Sequence, residues 1–119
     1  MNDIQVNLRL EDRVALMDLQ GSVTALAEKK VLAAYERAVA QKTKLLLLNF
    51  SAVNYINSAG MAIIITLLHK AQAQGGALRA FGLTPHFQKI FEMVGLLKHI
   101  PHFKDESEAR AFQSEEGTE

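Results

Sequence analysis

A short polar segment, Asn57-Ser58-Ala59-Gly60, contains the side chain of this sequence most suited to chemistry, a serine hydroxyl at the start of a predicted helix. The first main-chain N–H groups of a helix have no partner within it. Together with the helix dipole, such groups stabilise a phosphate added nearby. The alternative is a structural role, in which Ser58 or Asn57 only caps the helix. Gly60 would either allow close approach of another backbone or serve helix packing.

The other residue types that support catalysis or metal binding show no productive spacing. No pair of histidines has the i, i+4 spacing of a helical zinc site, which predicts surface histidines and no metal. Their positions are His69, His86, His99 and His102. The chain has no cysteine, which excludes disulfides and thiol chemistry. No glycine-rich phosphate loop, nucleophile elbow or catalytic carboxylate pair is present, so we expect neither enzyme activity nor a cofactor.

Length and composition predict one small domain. The chain has 119 residues, 49% of them hydrophobic, and a formal net charge of zero. Six acidic residues and one basic residue fall within 105–119, and the remaining basic residues are scattered, which argues against a nucleic-acid partner. We expect a domain over 1–112 and a flexible acidic tail over 113–119. With no signal segment or apolar run of about 20 residues, we expect a cytoplasmic protein without a membrane span.

The amino-terminal third predicts a hairpin followed by a helix. Residues 4–10 alternate between apolar and polar, as expected of a strand with one buried face. A second strand over 14–19 would complete an antiparallel hairpin that Gly21 ends. Residues 24–41 then show helical periodicity, with Thr24 as N-cap and Leu26 on the apolar face.

The rest of the chain alternates between strands and helices. The apolar run 45–48 predicts a central strand covered on both faces, followed by a connection over 49–57. Further helices are predicted over 58–74, from Thr84-Pro85 to Gly95 with Val94 buried, and over 105–112. Strands are predicted over 77–81 and 99–103, with Pro101 assigning the last one to a sheet edge. The order ββαβαβαβα indicates an α/β fold with a mixed sheet.

In such sheets, binding sites lie beyond the carboxyl ends of parallel strands, where the loop 49–60 is predicted. At this position Leu48-Asn-Phe-Ser-Ala-Val53 and Asn57-Ser-Ala-Gly60 resemble the signature of the STAS domain family. The resemblance extends over nearly the whole chain, from Gly21 to Val94-Gly95-Leu96 and on to Phe103 and Ala109. It implies a STAS-like mixed sheet of about five strands with about four helices.

Within that family the chain looks most like an anti-sigma factor antagonist, a regulator that binds a protein and catalyses nothing. The resemblance implies an ATP-dependent anti-sigma factor/serine kinase as partner and Ser58 as the residue that accepts phosphate, which releases the partner. The residues predicted to take part in partner binding are Gly21, Ser22, Thr24, Tyr55, Ile56, Asn57, Ala59, Gly60 and Met61. Tyr55 and Ile56 would either be exposed for docking or anchor the loop as buried residues.

The sequence also departs from the family pattern. Members that switch partners usually have an acid before the serine and two acids after the early glycine, where this chain has Asn57, Ser22 and Thr24. Ala59 replaces a second serine. The missing acids favour an alternative, a non-switching scaffold or accessory subunit of a signalling or transport complex. A small-ligand or enzyme domain is a third hypothesis, based only on the α/β loop site, and homodimer formation stays open.

Overall fold

The computed structural model describes residues 4–112, within which five strands form one sheet in the order β1-β2-β3-β4-β5. The strands are β1 (Gln5–Glu11), β2 (Val14–Val23), β3 (Leu45–Ile56), β4 (Ala77–Phe81) and β5 (His102–Phe103). β1 pairs antiparallel with β2, and the other pairings are parallel. The predicted mixed sheet with an opening hairpin is confirmed. The predicted tail, 113–119, lies outside the described residues.

Four α-helices connect or follow these strands within the described part of the chain, as predicted. They are α1 (Glu28–Ala40), α2 (Ser58–Ala73), α3 (Pro85–Met93) and α4 (Glu106–Ala111), with 3-10 turns at Ala25–Ala27 and Leu96–Lys98. The Thr84 hydroxyl accepts the N–H of Phe87 at 3.1 Å and Pro85 is the first helical residue of α3. This agrees with the predicted start, because proline needs no N–H partner at that position.

The main core lies between one sheet face and helices α1, α2 and α3. Leu46 and Leu48 of β3 point into it, and Phe50 packs edge-on against Phe91 of α3 with ring centroids 5.6 Å apart. Leu47 points to the opposite face, where it packs with Leu16, Phe81 and Ala109. The prediction that this strand is covered on both faces is therefore confirmed.

An ionic network attaches the short helix α4 to the second sheet face. Arg9 of β1 donates to Asp18 of β2 at 2.7 and 3.0 Å and to Glu106 of α4 at 3.0 Å. Arg110 links Glu106 to Glu11. A six-residue helix is not stable by itself, so these contacts and the burial of Ala109 hold α4 in place.

The predicted connection 49–57 is wrong, because β3 continues as a strand to Ile56. Its pairing with β2 extends to Val23 and Ile56, with register shifts after Asp18 and after Gly21. The prediction that Gly21 ends the second strand is wrong for the same reason: β2 continues through Gly21, whose φ of 105° suits the irregularity. Hydrogen bonds to a long neighbouring strand extend both strands beyond their apolar runs.

Leu26 and Val94, like Leu10 at the end of β1, were predicted on buried faces and are exposed. Leu26 is 75% exposed because it lies in the 3-10 turn before α1 rather than on the inner face of an α-helix. Val94 is exposed because α3 ends at Met93 and Val94 follows as its C-cap. The last strand is also shorter than predicted, since the N–H groups of His99 and Ile100 bond back to the Leu96 carbonyl and only His102–Phe103 pair with β4.

Candidate functional site

Ser58 is the first residue of α2, at the carboxyl end of β3, and its side chain is exposed. The preceding residue, Asn57, has an extended backbone and its Oδ1 accepts the N–H of Gly60 at 2.9 Å. Asn57 is therefore the N-cap. The capping interaction does not use the Ser58 hydroxyl, so this hydroxyl points from a helix N-terminus with access to solvent.

The end of β2 fixes the position of this helix start. The carbonyl oxygen of Val23 accepts the N–H of Asn57 at 3.2 Å. Gly60 packs against the same carbonyl so closely that a Cβ on Gly60 would lie 2.7 Å from its carbon atom. Of the two roles considered for Gly60, the structure shows the close approach of another backbone, and that backbone is the end of β2 in the same chain.

The residues predicted to bind a partner lie around the ends of β2 and β3 and the start of α2, at different depths. Tyr55 is 53% exposed, whereas Ile56 is buried in the main core. Gly60 is buried as well. The remaining residues are partly exposed: Gly21, Ser22, Thr24, Asn57, Ala59 and Met61. Ile56 and Gly60 thus lie beneath the surface that the others form.

The chain segments next to Ser58 and at the end of β2 are uncharged. Segments 21–27 and 54–66 contain no acidic or basic residue. Where family members carry acids, the Ser22 hydroxyl donates to Oδ1 of Asn54 at 3.3 Å, and Thr24 Oγ1 accepts the N–H of Leu26 at 3.3 Å. Asn54 was not identified from the sequence, because only the pairing of β2 with β3 brings it to Ser22.

The histidines do not form a site in the described part of the chain. His69, His86 and His99 are exposed, as predicted for surface histidines. His102 is half-buried and accepts the N–H of Leu83 at 3.1 Å through Nε2, and burial lowers its pKa. Within residues 4–112 no three His, Asp or Glu side chains are grouped as a metal site would require. No helix in this range is long and apolar enough to cross a membrane.

Comparisons with known proteins agree with this geometry. The family model described as STAS domain matches residues 5–109. A Bordetella bronchiseptica protein, BtrV, provisionally assigned as an anti-sigma factor antagonist, is 26% identical over 104 residues, 87% of this chain and 90% of BtrV.

Solved structures of similar fold include two anti-sigma factor antagonists. The crystal structure of one from Mycobacterium paratuberculosis superposes with a TM-score of 0.78 at 20% identity, covering 91% of this chain and 92% of that one. Unphosphorylated SpoIIAA superposes with a TM-score of 0.74 at 18% identity, covering 92% of this chain and all of that one. The Bacillus SpoIIAA structure is also solved in a phosphorylated form, with a TM-score of 0.67.

Proposed function

Because the chain belongs to the STAS domain family, we propose that it acts in the cytoplasm as an anti-sigma factor antagonist. In this proposal the unmodified protein binds an anti-sigma factor that is also an ATP-dependent serine kinase. Phosphorylation of Ser58 then releases that partner. The protein itself catalyses no reaction. The observation that carries the proposal is the exposed Ser58 hydroxyl at the N-terminus of α2, with Asn57 as the cap.

The geometry supports a switch because a phosphate on Ser58 would affect the free protein and the complex differently. In the free protein, the helix dipole and the first amides of α2 would stabilise the added negative charge. In a complex, a closely packed partner surface would have to desolvate the same charge. Phosphorylation should therefore weaken binding more than it changes folding stability.

The test compares wild type with Ser58→Ala and Ser58→Asp, using each anti-sigma-type kinase encoded in the same genome. Ser107→Asp is the matched control, because Ser107 is an exposed serine in the first turn of another helix, α4. Kinase and ATP should label wild type but not Ser58→Ala. Ser58→Asp should bind roughly a hundredfold more weakly, equivalent to about 3 kcal/mol, while Ser107→Asp binds like wild type. Thermal unfolding of all variants should stay close to wild type.

The absence of the family's acids beside Ser58 favours a second candidate, a scaffold or accessory subunit that keeps the fold without the switch. The acids that would help a kinase orient the hydroxyl or its magnesium ion are replaced by Ser22, Thr24 and Asn57. If no kinase labels Ser58 and both Ser58 variants bind like wild type, the hypothesis of a phosphorylation switch is wrong and the scaffold hypothesis is favoured. A neighbouring kinase gene would favour the switch, and neighbouring transporter genes the scaffold.

A further inference from the structure

A groove of about 220 Å³ lies between the start of α1 and the first turns of α2. The residues that line it are mostly small or apolar: Ala25, Glu28, Ala59, Ala62, Ile63 and Thr66. Because Ala59 follows Ser58 directly in α2, the groove is continuous with the surface around the proposed phosphorylation site. This volume is below the roughly 300–1,000 Å³ of small-molecule pockets, so the groove would admit a single side chain rather than a whole ligand.

Leu26 adds an apolar contact to this surface. It is 75% exposed and lies next to Ala25 in the same 3-10 turn. An exposed leucine beside an apolar groove gains free energy when a partner excludes water from both. The groove and Leu26 together therefore favour an apolar side chain as occupant.

Glu28 brings a negative charge to this groove. It is the one charged residue among those lining the groove, and it adjoins the uncharged segment 21–27. The ion pairs formed within residues 4–112 do not include it. Its place in the first turn of α1 stabilises that helix, but its carboxylate remains available for a cation. The complement of this surface is an apolar side chain accompanied by a lysine or arginine.

We propose that the partner kinase inserts an apolar side chain into this groove and pairs an adjacent lysine or arginine with Glu28. The inference depends on the proposed function, because it adds a second contact beside Ser58 to the same complex. It differs from the phosphorylation switch in that neither Glu28 nor the groove takes part in phosphate transfer. The groove proposal and the phosphorylation switch can therefore be tested separately.

Two substitutions test whether the groove binds the partner, and each has a matched control substitution elsewhere in the same protein. Ala62→Trp fills the groove from its exposed position on α2, and Ala73→Trp places the same side chain at the exposed end of that helix. Glu28→Lys reverses the charge, and Glu92→Lys makes the same change on the exposed side of α3. Circular dichroism and thermal unfolding establish that each variant is folded. The dissociation constant for each anti-sigma-type kinase of the genome is then measured at two salt concentrations.

We expect Ala62→Trp to weaken binding at least roughly tenfold, because filling the groove removes an anchor contact. Glu28→Lys should weaken it at least about fivefold and make binding less dependent on salt, while both controls bind like wild type. If Ala62→Trp and Glu28→Lys both bind like wild type while Ser58→Asp does not, the proposal that the kinase binds in the groove is wrong and the proposed function stands. If wild type binds no kinase, the proposed function and the groove are both overturned.

Discussion

Gly60 in α2 packs its Cα directly against the main-chain carbonyl of Val23, the last residue of β2. The same carbonyl oxygen accepts the N–H of Asn57 at 3.2 Å. One strand end therefore holds both the N-cap and the first turn of the helix that begins with Ser58. The position of the hydroxyl depends on this contact, since no side chain could fit between the two backbones.

Gly60→Ala should destabilise the protein by about 2 kcal/mol, because its Cβ would overlap the Val23 carbonyl and force the backbones apart. This reverses the ordinary effect, since alanine in place of glycine normally stabilises a helix by about 1 kcal/mol. Ala62→Gly, at an exposed site two residues further along the same helix, is the control for helix propensity. Urea unfolding measures both, and a gain in stability for Gly60→Ala would contradict the packing argument.

Asn57→Ala should lower the free energy of unfolding by about 1 kcal/mol through loss of the bond to the Gly60 N–H. Asn57→Asp should keep the cap and leave stability equal or slightly higher, because a carboxylate interacts favourably with a helix N-terminus. If the missing acid limits phosphorylation, Asn57→Asp should also raise labelling of Ser58. Equal stability of the alanine variant and wild type would show that Asn57 does not cap the helix in solution.

Arg9→Met should lower stability by about 1 kcal/mol near pH 7, allowing for the partial exposure of the network. Burial pushes the pKa of Asp18 upward, but hydrogen bonds from Arg9 and Asn49 outweigh it and hold the pKa below its ordinary value. Hydrogen bonds from Arg9 and Arg110 lower the pKa of Glu106. The ordinary pKa values of these two carboxyl groups are 3.8 and 4.5. Because their pKa values are lowered in the fold, both groups stabilise it at pH values above the ordinary pKa, and this stabilisation is lost as pH falls.

The difference between wild type and Arg9→Met should therefore shrink in acid, as measured by urea unfolding at several pH values below about 5. The control is Lys70→Met, which removes a more exposed pair with Glu36 at 3.9 Å and should change stability by less than about 0.5 kcal/mol. If the stability difference between wild type and Arg9→Met stays constant in acid, Arg9 does not stabilise the fold through the carboxylates of Asp18 and Glu106.

His102 should titrate below its ordinary pKa of 6.5, because burial disfavours its charged form. Protonation would also convert Nε2 from an acceptor into a donor and remove the bond from the Leu83 N–H. A lowered folded pKa means that this stability is present above pH 6.5 and is lost as pH falls. NMR titration measures the pKa, and His102→Gln should flatten the stability profile between about pH 7 and 5, whereas exposed His86→Gln should not.

Much of the fold could be predicted from local patterns. Three segments have a local pattern that is compatible with few other structures. They are the alternation at the amino terminus, the apolar run 45–48 and the capping pair Thr84-Pro85. The boundaries that failed have no such local signal. Residues 49–56 extend β3 because β2 is long enough to pair with them, and that depends on two segments about thirty residues apart.

The sequence by itself determined the serine at a helix start, the STAS family pattern and the absence of the usual acids. These depend on residue identity and on spacing within one segment. Only the tertiary structure decided that Asn57 rather than Ser58 caps the helix, that Ile56 is buried beside exposed Tyr55, and that Gly60 packs on Val23. The groove beside Ser58 is likewise a product of packing α1 against α2. Burial and cavities depend on contacts between distant segments, which residue spacing does not record.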